Sequence, residues 1–240
     1  MTLLFITLAF VFSACGGGGS GKGGLPPDGS GAGISSDPFI VGSETTLRYV
    51  GRGAENPEDY EDWTLDKHYK LVTDIDLTDK PEWTPIGTFA DRFTGSFDGN
   101  GNKIIGLSIN KGIDVRDMRT PDFDYKGFFG SIAGATVKNL GLENVNIAGR
   151  SRVGGIAGHN HGGTVLNCYV TGDIRSLNDT TGGVVGYNGP AYPDRSGAAN
   201  SMVLNCYAAG NVSSVYEQSP RKDHPALRAP LQGGDMTPKS

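Results

Sequence analysis

Short apolar runs bracketed by glycine recur along the second half of the chain. Residues 127–130 read GFFG, 155–158 GIAG and 183–186 GVVG, two steps of 28 residues. A second element follows each at a fixed offset: VKNLGL from Val137, VLNCYV from Val165 and VLNCYA from Val203. Its first step is again 28; its second is 38, because residues 189–201 carry an extra loop. Two elements sharing one period define an internal repeat. No run is long enough to form a sheet alone, and Gly-Asn-rich turns separate them. Stacked coils would give every strand a parallel neighbour ~4.8 Å away and a continuous interior.

This pattern predicts an all-β solenoid with coils of about 28 residues. Equivalent positions then stack on themselves: Phe129 with Ala157 and Val185, Val137 with Val165 and Val203, Leu140 with Cys168 and Cys206. Asn139, Asn167 and Asn205 are expected to form a side-chain ladder, each amide bonding to the next. The glycines are expected at corners that need φ > 0. Upstream, residues 69–109 read as earlier coils, with FDGNGN (97–102) as a tight turn. Residues 43–50, SETTLRYV, have the Ser-x-x-Thr start of a short N-terminal helical cap. Residues 111–125 and 189–201 read as loops leaving the stack.

The runs GGIAGHN (154–160) and GGVVGYN (182–188), each followed by a strand of the TV-NCY type, resemble the GLUG repeat of bacterial surface proteins. FIVGSETTLRYV (39–50), KLVTDIDLT (70–78), WTPIGT (83–88) and FTGSFDGNGNKIIGLSI (93–109) resemble the segment that commonly precedes such repeats. The likeness covers roughly residues 38–216. It implies a right-handed parallel β-helix and a surface location, as in adhesin-like proteins, and leaves the ligand open. Family members often continue with further repeats, and GLUG motifs also lie beside the peptidase domain of an IgA-specific metallopeptidase family. The H-E-x-x-H of such a peptidase is absent from this sequence.

The N-terminus has a different character. TLLFITLAFVFSA (2–14) is too short to span a membrane and long enough for the apolar core of a signal peptide. Phe12-Ser13-Ala14-Cys15 resembles a bacterial lipobox, which implies cleavage before Cys15 and a lipid on its thiol. No Lys or Arg precedes the run, and Phe12 stands where Leu is usual, so a general secretory signal is the alternative. Gly16 after the cysteine suggests the outer membrane if the cell has two. The following GGGGSGKGGLPPDGSGAGISS reads as a flexible tether. Gly16 to Lys22 fits the start of a phosphate loop, but Gly23 replaces the required Ser or Thr and no strand precedes it. From Ser219 the repeat stops and four prolines fall in 22 residues. That tail reads as disordered, which leaves the last coil with an open edge. A truncated member of a longer protein is a companion reading.

Composition supports a turn-rich β chain. Glycine makes up 38 of 240 residues against a usual ~7%, which disfavours helical bundles. A net charge of −5 without a basic stripe argues against nucleic acid as a partner.

Candidate chemistry is sparse. His159-Asn160-His161 could begin a metal site but needs further ligands, and otherwise reads as a solvated corner turn. Asp74 and Asp76 should share one side of a strand with Ile75 on the other. Asp114 with Asp117 and Asp122 with Asp124 are further carboxylate pairs, and no basic residue is tied to any of them by spacing. Cys168 and Cys206 lie one coil apart and read as stacked core thiols, a disulfide between them being geometrically awkward. The long loop holds Tyr192, Asp194 and Arg195, an aromatic beside opposite charges, and is the candidate binding loop.

The expected organisation is a signal peptide (1–14), a tether (15–36), a β-helix domain (37–218, with GLUG-like repeats over 126–218) and a disordered tail (219–240). The expected function is that of a surface-anchored, non-catalytic lipoprotein, adhesive or structural, with no catalytic residue, metal or cofactor. Its partners would be a membrane, through the lipid on Cys15, and a host or matrix protein or glycan. The alternatives are a polysaccharide-active enzyme on the same scaffold and a non-catalytic remnant of a larger surface protein.

Overall fold

The structure is a computed structural model that describes residues 25–55, 59–178, 180–190 and 200–215. Its strands pair in parallel and form three faces of a stack. The first face has six strands in the order Phe39–Val41, His68–Leu71, Ser96–Asp98, Thr136–Lys138, Thr164–Leu166 and Met202–Leu204. The second runs from Ile75–Asp76 through Lys103–Ile105, Gly141–Gly149 and Tyr169–Ser176 to Tyr207–Ser214. The third stacks Phe129–Ala133, Ala157–His161 and Val185–Asn188. From Phe129 onward the chain visits each face once per coil, and the architecture is all-β, mostly parallel and β-helix-like.

The register follows the repeat. On the first face Phe39, Tyr69, Phe97, Val137, Val165 and Val203 are successive partners. On the third, Phe129, Ala157 and Val185 align. The inner column is aromatic at its early end and narrows to valine at its later end. Val137 and Val165 are fully buried. Towards the N-terminal end, Trp63 stacks on Phe39 with ring centroids 4.8 Å apart. The helix Glu44–Tyr49 adds Leu47 to the same core, and Val50 follows it there. A capping box starts this helix: the Ser43 hydroxyl accepts the Thr46 N–H while the Thr46 hydroxyl accepts the Ser43 N–H.

The corners are shared between two residue types. Gly134 and Gly162 take positive φ as expected, at 61 and 74°, and Asn139, Asn167 and Asn205 take it as well, at 53, 52 and 51°. Asparagine tolerates this region better than most residues, so one residue both turns the chain and extends the ladder. Asn167 Nδ2 donates to Asn139 Oδ1 at 3.1 Å, and Asn205 Nδ2 to Asn167 Oδ1 at 3.3 Å. Asn139 Nδ2 donates in turn to Asp98 Oδ1 at 3.0 Å, which ends the ladder on a carboxylate. The glycines that bracket the apolar runs serve close approach instead. A Cβ on Gly158 would lie 2.6 Å from the Arg152 carbonyl oxygen, and one on Gly186 2.5 Å from the Val153 nitrogen.

Two segments expected to leave the stack or hang free are built into it. Residues 111–125 carry Val115, Met118 and Phe123, which pack with Ala148 and Leu177 as a small second core. Residues 28–36, read from the sequence as the end of a flexible tether, are bonded to the first two strands. Gly29 N–H reaches the Ile40 carbonyl at 2.9 Å, and the Gly33 carbonyl accepts the His68 N–H at 3.0 Å. Gly33 has φ +69°, and a Cβ there would meet the Phe39 ring at 2.4 Å. Composition alone suggested flexibility; the glycine is there to let a ring through.

Residues 1–24 and 216–240 lie outside the described residues. With them fall the signal peptide, Cys15, the first part of the tether and the tail.

Val165 sits between Val137 and Val203 with no room for charge, so Val165→Asp is expected to cost several kcal/mol. The exposed Lys111 should tolerate Ala within about half a kcal/mol. Urea unfolding of the two variants checks this; equal losses would mean that the inward register is wrong.

Candidate functional site

The third face carries the densest set of exposed and half-buried aromatic groups. The strand Ala157–His161 places His159 in register with Ser131 on one side and Tyr187 on the other. Phe89, Tyr125, His159 and Tyr187 form a short ring column with a broad base: 5.3 Å from Phe89 to Tyr125, 6.1 Å from Tyr125 to His159, 6.5 Å from Phe89 to His159 and 5.3 Å from His159 on to Tyr187. Phe89 is 42% exposed.

Two arginines flank the column. The Arg92 guanidinium lies 4.7 Å from the centre of the Phe89 ring, and its Nε donates to the Phe89 carbonyl at 3.1 Å. That of Arg152 lies 5.0 Å from Tyr125 and 5.7 Å from Tyr187. Ring faces attract cations and hold these side chains in place. Among the described residues neither arginine forms an ion pair with a carboxylate. The neighbouring Arg150 does, donating through Nε to Asp124 Oδ1 at 2.7 Å, so that carboxylate is already engaged.

The backbone under the column is strained. Tyr125 has φ 56° and Arg152 φ 54°, and bridging of Lys126 to Val153 sets the two one coil apart. A non-glycine residue in this region costs roughly 1–2 kcal/mol. Gly158 makes the pair possible, since a Cβ there would also lie 2.7 Å from the Tyr125 carbonyl carbon.

His159 is buried, contrary to the solvated turn expected from the sequence. Its Nε2 lies 3.0 Å from the Gly189 carbonyl, which can only accept, so this nitrogen carries the hydrogen. Nδ1 then accepts from the Ser131 hydroxyl at 3.5 Å. Burial pushes the imidazole down to about 4, with Arg92, His161 and Arg152 adding in the same direction against the Gly189 bond. At neutral pH the ring is uncharged. Asn160 beside it is also buried; its Nδ2 donates to Asn188 Oδ1 at 2.8 Å, a second amide step between coils.

Other candidates are engaged in structural work. Asp74 and Asp76 share the exposed side of their strand, with Ile75 buried between them. Asp74 accepts the Lys103 N–H at 3.0 Å and Asp76 that of Thr78 at 2.8 Å. Asp114 caps a single 3-10 turn. Among the described residues no three His, Cys, Asp or Glu side chains gather into a metal-binding group. Cys168 and Cys206 are free thiols, and burial pushes Cys168 up to about 12. Tyr192, Asp194 and Arg195 lie outside the described residues. The loop that holds them leaves beside the column: Tyr187 Oη donates to the Pro190 carbonyl at 3.3 Å.

The sequence signalled only part of this column. His159 and Tyr187 are 28 residues apart and were legible as equivalents. Phe89 and Arg92 precede the clear repeats, and Tyr125 and Arg152 are separated by 27, so neither pair stood out.

Residues 149–175 match the family model of the GLUG motif, so the chain carries that motif within the stretch where the resemblance placed its repeats. A stretch of 165 residues is 32% identical to halomucin of Haloquadratum walsbyi, taking in 65% of this chain and 2% of that protein. Another, of 145 residues, is 32% identical to a candidate Gly-rich membrane protein of Evansella cellulosilytica, taking in 55% of this chain and 14% of that one. The chain thus spans a small part of either relative. In fold it is similar to a candidate immunoglobulin A1 protease from Bacteroides ovatus, with a TM-score of 0.53 and 22% identity over 76% of this chain and 50% of that one. No helix among the described residues is long and apolar enough to cross a membrane.

The His159 environment gives a pH prediction. The folded ring resists protonation to about 4, whereas the unfolded one takes a proton near 6.5. Stability should therefore be full above pH 6.5 and fall as the pH drops towards 4. Between pH 6.5 and 5 the loss is about 2 kcal/mol, at ~1.4 kcal/mol per pH unit. Urea unfolding at pH 7 and 5 should show this loss in the wild-type chain and a smaller one in His159→Gln. Equal losses in both would remove His159 as the cause.

Proposed function

We propose that this chain is a surface-anchored, non-catalytic β-helix protein with an adhesive or structural role, held by a lipid on Cys15. The observation that carries the reading is the third face, a rigid set of paired strands that displays rings and two arginines with no carboxylate partner among the described residues. Such a surface is suited to contact, since aromatic residues and arginine are enriched where proteins bind. In this reading the coils are right-handed turns of about 28 residues, and the helix Glu44–Tyr49 closes the first of them. The GLUG motif and the relative named as a membrane protein support a cell-surface or membrane location. The lipobox-like Phe12-Ser13-Ala14-Cys15 supports anchoring there, at the outer membrane where the cell has two. The loop with Tyr192, Asp194 and Arg195 would add to the contact surface beside the column.

Two experiments test these parts separately. Cys15→Ser should move the protein from the membrane fraction into the soluble fraction; unchanged detergent partitioning would end the lipoprotein reading. Deleting residues 191–200 restores the 28-residue step between Val165 and its partner strand, so the thermal transition should be kept while adhesion to a panel of mucin, collagen, fibronectin and cell-wall glycans drops. Undiminished adhesion of a folded deletion variant would exclude the loop, and no adhesion by the wild-type chain would count against the adhesive role itself.

A further inference from the structure

We infer that the ring column with Arg92 and Arg152 is a binding site for an anionic carbohydrate, a chain of sugars bearing carboxylate or sulfate groups. The inference rests on the adhesive reading above and gives it a ligand class.

Charge comes first. The chain as a whole is acidic, at −5, so an anion is attracted only where cations are left uncompensated. Arg92 and Arg152 are such cations among the described residues, and both stand at one column. A guanidinium stacked over a ring spends its face on the ring and keeps its N–H edge. That edge matches the two oxygens of a carboxylate, or two of a sulfate, in a bidentate pair. The rings hold the arginines, so little freedom remains to be lost when an anion arrives.

Shape comes second. Phe89, Tyr125 and His159 lie 5.3, 6.1 and 6.5 Å from one another, with Tyr187 5.3 Å beyond His159, a cluster that offers a broad apolar platform of the kind a sugar ring can rest on. Phe89, with Arg92 over its ring, still exposes apolar surface against which the C–H groups of a sugar can rest. The strand Ala157–His161 beneath is paired on both sides, and among the described residues the only backbone edge at the column is that of Val185–Asn188, which the peptide probe below tests. Sugars need no such edge.

Strain comes third. Tyr125 and Arg152 hold left-handed backbone at 56 and 54°, where glycine would sit without cost. Strained residues concentrate at ligand sites, where the side chain is worth the distortion. These two are the ones whose side chains meet in the column.

Calorimetric titration of the full chain tests this with four probes: hexagalacturonate, a heparin-derived hexasaccharide, neutral maltohexaose and hexaglutamate. At least one acidic hexasaccharide should bind and maltohexaose should not; which of the two binds tells carboxylate from sulfate. Arg92→Gln and Arg152→Gln should each weaken binding about ten- to a hundredfold, the loss expected for a hydrogen-bonded charge. Arg152→Gly should lose binding equally while melting no lower than the wild-type chain, because glycine accepts that backbone. A purely structural arginine would not separate the two readouts. No binding of either acidic sugar, unchanged binding by the arginine variants, equal binding of maltohexaose, or hexaglutamate competing as well as the sugar would each overturn the inference. Adhesion to the panel above that persists in the arginine variants would leave the adhesive role standing and remove only this site.

Discussion

Each coil of this chain is held by the coil before it, through backbone bonds that run along the stack axis. That contact sets the rest of the design. Strands about 4.8 Å apart leave no space between coils for anything but matched positions. Residues that face inward must therefore repeat in kind, as Val137, Val165 and Val203 do. Where backbone meets backbone without a strand between, only glycine fits, as at Gly158 and Gly186. Variation is pushed to the outward positions and to the two excursions.

How far the sequence could be read follows from this constraint. Stacking repeats in space what repeats along the chain, so the inner column and the asparagine ladder were visible as a 28-residue period. The reasons for individual residues were less visible. Glycine is compatible with both a left-handed corner and a tight approach, and the sequence does not distinguish them; the structure puts Gly134 and Gly162 at corners, Gly158 and Gly186 at close approaches, and gives further corners to asparagine. Gly33 looked like linker because its neighbours are small and polar, although the partner that explains it, Phe39, lies six residues on in the first strand. Residues 111–125 looked like a plain loop because Val115, Met118 and Phe123 have no period, and their partners Ala148 and Leu177 come from other coils.

The site shows the same division. A column running across coils is made of residues far apart in sequence, and only the pair inside the clear repeat announces itself. His159 looked like one of two solvated imidazoles. In place it is a neutral, buried ring that joins the column to the point where the long loop departs, through the Gly189 carbonyl. The regular part of the fold thus fixes both the rings and the root of its most irregular segment. Strain at Tyr125 and Arg152 is borne by that rigidity, because the pairing on either side leaves the backbone nowhere to relax.

The asparagine ladder also has a sense. Asp98 can only accept, so Asn139 must donate to it, and every amide after it must face the same way. Asn139 or Asn167 turned over would set oxygen against oxygen on one side and NH2 against NH2 on the other, so neither rung can flip alone. The carboxylate at one end thereby fixes the orientation of every amide as far as Asn205, and the ladder is a polar file that runs from the Asp98 carboxylate to the acceptor Asn205 Oδ1.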